Sequence, residues 1–179
     1  MSDYKGSVGL IDGNRINLIG KIDPNLIKID QIANALSKKC RFNGQCTDFY
    51  SVAEHCVHVS RLTVKLHKSM PELKQYDPAL CGLAALLHDA SEAYMSDFVT
   101  PLKVLFPEYM ALEDKLQKVI FKKYNVPTEI LDWVHNNTDR YASYIEIRQL
   151  GTYDWADELR ISNLYYFNVL AWDHNKARR

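Results

Sequence analysis

The sequence predicts a single all-helical domain, a helical bundle that carries a small β-hairpin at its N-terminus. Apolar residues recur at helical spacing over most of the 179 residues, which are enough to bury one core. Alternation of the kind expected for strands is confined to residues 7–19, around the tight-turn pair Asp12-Gly13. We therefore expect a hairpin and loop over residues 1–25 and the helical bundle over residues 26–179.

The predicted helices follow one another with short polar or proline-containing connections. Ser51 with Glu54 three residues later forms a capping box, and Pro107 and Pro127 stand where helices begin. Pro101 interrupts the helical pattern, which predicts a loop or short turn there. The expected helices cover residues 30–39, 51–68, 79–87, 107–124, 127–150 and 155–172, followed by a frayed basic tail over residues 176–179.

The helix over residues 51–68 divides into two faces by its periodicity. The stripe predicted to face the core contains Val52, His55 or Cys56, Val59, Leu62 and Leu66. The stripe predicted to face water contains Glu54, His58, Arg61 and Lys65. On this pattern His55 points into the core and His58 is a solvated surface residue.

The helix over residues 79–87 is apolar almost all the way round, as expected of a core helix, and it ends in His88 and Asp89. Glu92 follows four residues after the histidine. Buried carboxylates are normally paired or bound to a metal, because an unpaired one costs several kcal/mol. The alternative interpretation is a helix end that reaches the surface, where both side chains meet water.

His55, His88 and Asp89 would form a mixed nitrogen and oxygen donor set between two consecutive core helices. Such a set suits a divalent transition metal (Mn, Co, Fe, Ni or Zn) better than Mg or Ca. A fourth donor would complete it, and helical periodicity does not choose among the candidates, which are Asp132, His135, Asp139, Asp154 and Asp157.

Composition limits the partners and the compartment. The 22 basic and 22 acidic residues balance, so no global field favours a nucleic-acid polymer or an anionic membrane. No apolar run approaches the roughly 18 residues that a membrane span needs, and the N-terminus lacks a signal-peptide pattern. The four cysteines contain no Cys-x-x-Cys pair. We therefore expect a reduced, cytoplasmic protein.

Three motifs in order carry a resemblance to a known family. Residues 50–55 (YSVAEH), 87–94 (LHDASEAY) and 97–103 (DFVTPLK) resemble the HD-domain phosphohydrolases, and most of all the bacterial 5'-deoxynucleotidases and related phage and bacterial hydrolases. The resemblance spans roughly residues 41–145. It implies a helical HD-domain bundle and metal ligation by His55, His88, Asp89 and a later aspartate. Asp139, followed by Arg140, matches that later position, with Asp132 as its rival.

The resemblance also implies roles for residues around the metal. Arg41 matches the family's phosphate-binding arginine, Glu92 the acid near the reacting water, and Asp97 the second carboxylate of that pocket. Thr100 and Lys103 match a segment that closes over the substrate. Read without the resemblance, Arg41 is a solvated loop residue, Glu92 a carboxylate at a helix terminus, and Lys103 a surface charge.

Three positions depart from the family pattern. Phe42 stands where the deoxynucleotidases have a larger aromatic residue that excludes a ribose 2'-hydroxyl. Ser96 replaces a common glycine, and Gln45 replaces a histidine of close relatives. These departures leave the sugar preference open.

The implied activity is removal of the 5'-phosphate from a nucleoside monophosphate, expected to be a deoxynucleotide. A triphosphohydrolase of the same fold is an alternative that needs more cations around the phosphates, from Arg61, Lys65 or a neighbouring subunit. A non-catalytic nucleotide-binding protein is a third. The resemblance also implies a homo-oligomer. The C-terminal aromatic residues are either candidate contacts for it or core residues: Tyr153, Trp155, Tyr165, Tyr166 and Trp172.

Overall fold

A computed structural model describes residues 5–151 and 167–178 of the chain. The protein is mostly helical, as predicted, and begins with a two-stranded antiparallel hairpin. Strand β1 (Ser7–Gly9) pairs with β2 (Arg15–Asn17), with Val8 opposite Ile16. Gly13 adopts φ +82° in the turn, a conformation that glycine reaches without strain. The predicted hairpin is confirmed.

Up to residue 151 the predicted helices follow in the expected order, together with one short helix at Pro101, where a loop or short turn was expected, and one more helix follows residue 173. They are α1 (Ile29–Leu36), α2 (Val52–Leu66), α3 (Pro78–Leu86), α4 (Thr100–Lys103), α5 (Pro107–Lys123), α6 (Glu129–Val134), α7 (Arg140–Leu150) and α8 (His174–Arg178). In the described residues, no helix is both long enough and apolar enough to cross a membrane.

Helices α2 and α3 pack side by side and form the centre of the bundle. Ser51 caps α2 by accepting the backbone N–H of Glu54 at 3.1 Å, as the capping box predicts. The two helices approach closely at Gly82, where a Cβ atom would lie 2.7 Å from Val64 Cγ2, and Ser60 Oγ donates to the Gly82 carbonyl at 2.7 Å. This packing fixes the middle of α3 against the C-terminal half of α2.

Helix α5 holds the chain that follows α3. Its Leu116, Ile120 and Phe121 are fully buried. Between them, the side chain of Gln117 accepts the backbone N–H of Ser91 at 3.0 Å and donates to the Leu87 carbonyl at 2.6 Å. The residues between these two bonds, His88 and Asp89 among them, are thereby fixed on both sides.

The predicted helix over residues 127–150 is interrupted by one π-helical turn. Helix α6 runs into the π turn His135–Asp139, which leads directly into α7, and Gly151 ends α7 with φ +66°. Single π turns inside α-helices often occur at functional sites. Asp139 is the last residue of this one.

The predictions for the C-terminus were partly wrong. Residues 152–166, where most of the expected last helix lies, are outside the described residues, but residues 167–173 are not helical. Helix α8 stands where a frayed tail was expected, and its Ala177 is buried. We call residues 167–173 the C-terminal strap.

The strap also overturns the prediction that Glu54 and His58 face water. Glu54 is 0 % exposed, and its two carboxylate oxygens accept the backbone N–H groups of Leu170 (3.0 Å) and Trp172 (2.6 Å). His58 is 5 % exposed and stacks on Phe167 with ring centroids 4.2 Å apart. Periodicity identifies residues that share a helix face, but it does not reveal that a distant segment covers that face.

Candidate metal centre

Four predicted metal ligands converge from three segments of the chain. His55 lies in the second turn of α2, His88 and Asp89 follow the end of α3, and Asp139 ends the π turn. The Nε2 atoms of His55 and His88 are 3.2 Å apart. Asp139 Oδ1 lies 3.0 Å from His55 Nε2, and Asp89 Oδ2 lies 3.1 Å from His88 Nε2.

These separations suit one bound cation. Bonds of about 2.1 Å place neighbouring ligand atoms about 3.0 Å apart in an octahedral shell and about 3.4 Å apart in a tetrahedral one. The nearest contacts are 3.0–3.2 Å, and each histidine Nε2 lies slightly farther from the other aspartate, at 3.7 Å for His55 to Asp89 and 3.8 Å for His88 to Asp139. The donor atoms of His55, His88 and Asp139, which lie within 4.8 Å of one another, therefore need little movement to share an ion, and Asp89 Oδ2 lies beside His88 Nε2.

The hydrogen bonds on the far side of each imidazole also favour a cation. His88 Nδ1 lies 2.7 Å from the Ala85 carbonyl oxygen, which can only accept, so this nitrogen carries a proton. His55 Nδ1 lies 2.7 Å from a carboxylate oxygen of Glu146 and donates in the same way. In the neutral imidazoles both Nε2 lone pairs then face each other and two carboxylates, an arrangement that only a cation or added protons can satisfy.

The pKa shifts of the aspartates and histidines also show that the cluster favours positive charge. Burial alone would raise the pKa of Asp139, but His55 and His88 hold that pKa well below its usual value. Burial likewise opposes protonation of His88, yet Asp89 and Asp139 raise its pKa well above the ordinary value. The cluster therefore attracts positive charge strongly, whether as protons or as a metal ion.

The candidates for the fourth position differ in how near the described ones lie to the two histidines. Asp132 is exposed on α6. His135 is also exposed, with its ring centroid 5.7 Å from that of His88. Asp154 and Asp157 lie outside the described residues. Of the candidates in the described part of the chain, Asp139 is the one within 3.0 Å of a histidine nitrogen of the cluster.

Glu146 is part of this site and was missed by the sequence analysis. It is fully buried and accepts from His55 Nδ1 at 2.7 Å and from the Tyr50 hydroxyl at 2.8 Å. Its other oxygen lies 3.3 Å from Arg41 Nε. A signal was available, because Glu146 follows Asp139 by seven residues and therefore shares its helix face.

Arg41 lies beside the cluster rather than in solvent. Its side chain is 12 % exposed, and Nη1 lies 3.6 Å from Asp89 Oδ2. Nη2 donates to Ser143 Oγ at 3.1 Å. Burial works against its charge, but Glu146, Asp89 and Asp139 raise the pKa of Arg41 above its ordinary value, so the guanidinium is charged.

Glu92, Asp97 and Lys103 form a second group of charged side chains near the cluster. Burial, together with the charges of Asp89 and Asp97, raises the pKa of Glu92 to about 9, and burial also raises the pKa of Asp97. Lys103 Nζ lies 3.7 Å from Glu92 Oε1 and donates to Glu113 Oε1 at 2.8 Å. Glu92 Oε2 and Asp97 Oδ2 are buried without a hydrogen-bond partner among the described residues.

The remaining predicted substrate residues lie at the edges of this site. Thr100 is exposed and begins α4, the short helix that carries Lys103. Phe42 is half-buried, and the Arg41 guanidinium lies 5.3 Å from the centre of its ring. Lys39, which the sequence analysis did not single out, donates to the backbone carbonyls of Glu92 and Met95 and so ties the Glu92 turn to the end of α1.

Comparison with known proteins identifies the family. The HD domain model matches residues 52–163, more than half of the chain. An uncharacterised Escherichia coli protein, YfdR, is 38% identical over 157 residues, which cover 84% of this chain and 78% of YfdR. An uncharacterised Rhodobacter capsulatus protein is 30% identical over 158 residues, which cover 85% of this chain and 76% of that protein. The chain therefore belongs to the HD-domain family, within the superfamily of metal-dependent phosphohydrolases.

Proposed function

We propose that this protein hydrolyses the 5'-phosphate of nucleoside monophosphates, with deoxynucleotides as the preferred substrates. The observation that supports this most is the position of Arg41, whose charged guanidinium lies 3.6 Å from Asp89 at the edge of the four-donor cluster. A phosphate monoester needs a cation on each side, and arginine can hold two of its oxygens at once. Arg41 and the cluster provide that pair.

His55, His88, Asp89 and Asp139 would hold the divalent metal. When bound, such an ion supplies a Lewis acid that activates water and offsets the charge of the phosphoryl oxygens. The mixed nitrogen and oxygen donors favour Mn, Co, Fe, Ni or Zn.

The protein's own groups position the reacting parts. Arg41 binds and orients the phosphate, and its hydrogen bond to Ser143 keeps the guanidinium from turning away. Lys103 supports the phosphate from α4 after leaving Glu113, its partner at 2.8 Å. These contacts hold the phosphorus in one place and so reduce the entropy that the reaction must lose.

Glu92 and Asp97 would carry out the proton transfers. Both have a buried oxygen without a hydrogen-bond partner among the described residues, and such an oxygen needs a water or substrate atom. In the proposed reaction Asp97 orients the attacking water and accepts its proton as the water oxygen bonds to phosphorus. Glu92 Oε2 gives its proton to the 5'-oxygen as the bond from phosphorus to that oxygen breaks. Because burial raises the pKa of Glu92, its carboxyl group is suited to holding a proton and giving it to the leaving group.

The sugar would lie near Phe42. Because the Phe42 ring packs 5.3 Å from the Arg41 guanidinium, the group attached to a phosphate on Arg41 falls beside that ring. An apolar ring there leaves a 2'-hydroxyl without a partner, which supports the preference for deoxynucleotides. Phe42 is smaller than the aromatic residue of the resembled deoxynucleotidases, so we expect a moderate preference.

Product analysis tests this function. The purified protein, loaded in turn with Mn, Co and Zn, is incubated with mono-, di- and triphosphates of all common nucleosides, and phosphate and tripolyphosphate are measured separately. Release of orthophosphate from monophosphates, lost in Glu92→Gln, supports the proposal. Tripolyphosphate release would assign a triphosphohydrolase instead, and nucleotide binding without any hydrolysis would assign a binding protein.

A further inference from the structure

We propose that Glu146 is a positioning residue that couples the metal-binding His55 to Arg41, so that one buried carboxylate controls both the metal affinity and the anion affinity. The role of Arg41 in this inference rests on the proposed function. The role of His55 rests on the convergence of the four donors.

The geometry joins three partners on two oxygens. Glu146 Oε1 accepts from His55 Nδ1 at 2.7 Å and from the Tyr50 hydroxyl at 2.8 Å. Glu146 Oε2 lies 3.3 Å from Arg41 Nε. Glu146, His55 and Tyr50 are each 0 % exposed, so water does not compete for these contacts.

Helix α7 and the π turn before it explain how the three groups meet. Asp139, Ser143 and Glu146 are spaced by four and three residues and therefore share one face. Ser143 Oγ contacts both Arg41 and a metal donor, because it lies 3.1 Å from Arg41 Nη2 and 3.4 Å from Asp139 Oδ1. A single helix face thus supplies a metal donor and both groups that hold Arg41.

Two consequences follow for the site. The bond from His55 Nδ1 to Glu146 fixes the tautomer in which Nε2 offers its lone pair, and it makes that nitrogen a stronger ligand. Glu146 Oε2 and Arg41 Nε form an ion pair at 3.3 Å without a hydrogen bond, and this attraction draws the guanidinium toward α7, where Nη2 donates to Ser143. Glu146 touches no reacting atom and acts through these two neighbours.

The alternative is that Glu146 only neutralises a buried arginine and contributes to stability. Glutamine at this position separates the two ideas. Tyr50 and His55 both donate to Oε1, so the amide oxygen of a glutamine takes that place and its NH₂ group faces Arg41 Nε. Glu146→Gln therefore keeps the hydrogen bond from His55 and loses the contact with Arg41, whereas Glu146→Leu loses both.

The experiment measures Mn²⁺ affinity of the stripped full-length protein and inorganic phosphate affinity of the Mn²⁺-loaded protein, both by calorimetry. We expect Glu146→Leu to weaken Mn²⁺ binding by about 10–100-fold, as is typical when the partner of a ligating histidine is lost. Glu146→Gln should weaken Mn²⁺ binding less than Glu146→Leu does. It should weaken phosphate binding by about tenfold. Adding Arg41→Gln to Glu146→Gln should cost less phosphate affinity than it does in the wild type.

Glu54→Gln is the matched control, because Glu54 is an equally buried carboxylate that holds the C-terminal strap and neither His55 nor Arg41. It should lower thermal stability and leave both affinities unchanged. If both Glu146 variants bind Mn²⁺ and phosphate within about twofold of the wild type while losing stability, the role is structural and the inference is overturned. Should Glu146→Leu fail to fold, Glu146→Gln alone decides by the same criterion.

These readouts do not depend on turnover. If the wild type hydrolyses no nucleotide but Glu146→Leu still weakens Mn²⁺ binding, the proposed function fails and the coupling of Glu146 to His55 stands. If the wild type binds no phosphate, the Arg41 half of the inference is overturned.

Discussion

Replacing Asp139 by alanine should weaken metal binding far more than replacing Asp132 by alanine. Both aspartates lie on the same continuous helical stretch and both were candidates for the fourth ligand. Asp139 Oδ1 lies 3.0 Å from His55 Nε2, whereas Asp132 is exposed. The two variants therefore remove the same chemical group from the same stretch, and differ in whether that group reaches the cluster.

The size of the effect follows from the number of donors. Partners that only orient a metal ligand are worth about 10–100-fold in affinity, so a direct ligand should cost at least the upper figure, about 2.8 kcal/mol. At a metal concentration 100 times the wild-type Kd, binding stabilises the wild type by about 2.7 kcal/mol and a variant bound 100-fold more weakly by about 0.4 kcal/mol. At about 2–4 °C per kcal/mol for a chain of this size, the metal raises Tm by roughly 5–11 °C in the wild type and 1–2 °C in Asp139→Ala.

The assay is thermal unfolding of the stripped protein with and without Mn²⁺ or Co²⁺, repeated for both variants. Asp132→Ala should keep the full metal-induced shift. A full shift in Asp139→Ala, or a shift lost in Asp132→Ala, would refute the assignment of the fourth donor.

Three further variants test other parts of the account. Glu92→Gln should lower kcat about 10²–10⁴-fold with little change in metal affinity, because a positioned acid is worth that much; steady-state kinetics with the preferred nucleotide will show it, and an unchanged kcat would exclude the role. Lys103→Met should raise KM at least about tenfold, as expected for one charge-assisted hydrogen bond, whereas Lys118→Met, at an exposed ion pair with Asp114, should leave KM unchanged. Glu54→Gln should lower the free energy of unfolding, measured by urea titration, by about 1–3 kcal/mol, because an amide NH₂ then faces a strap N–H. A loss under about 0.5 kcal/mol would count against the strap contact.

Much of the fold follows from local rules of sequence. The hairpin around Gly13, the capping box at Ser51 and the apolar helix before His88 all rest on interactions between residues close in the chain. The hairpin, the apolar helix and the N-cap bond of Ser51 are confirmed, whereas the Glu54 carboxylate binds the strap instead of completing the capping box. The C-terminal strap could not be predicted in this way, because Glu54 meets it 116 residues later along the chain.

Some residues of the site also follow from local sequence patterns, and others do not. Periodicity places His55 and His88 in the core, where the structure has them fully or almost fully buried. It does not select Asp139, because in a regular α-helix Asp139 would lie about 140° around the axis from the buried Val134. The π turn changes that relation, since i→i+5 bonding brings the fifth residue back toward the face of the first. The family resemblance pointed to Asp139 where helical geometry could not.

Anomalous diffraction from crystals grown with Mn²⁺ or Co²⁺ shows whether one cation binds between the two histidines. We expect one strong peak per chain within about 2.0–2.3 Å of His55 Nε2, His88 Nε2 and one oxygen each of Asp89 and Asp139. No peak between the two histidines, or a peak that either histidine does not ligate, would contradict it.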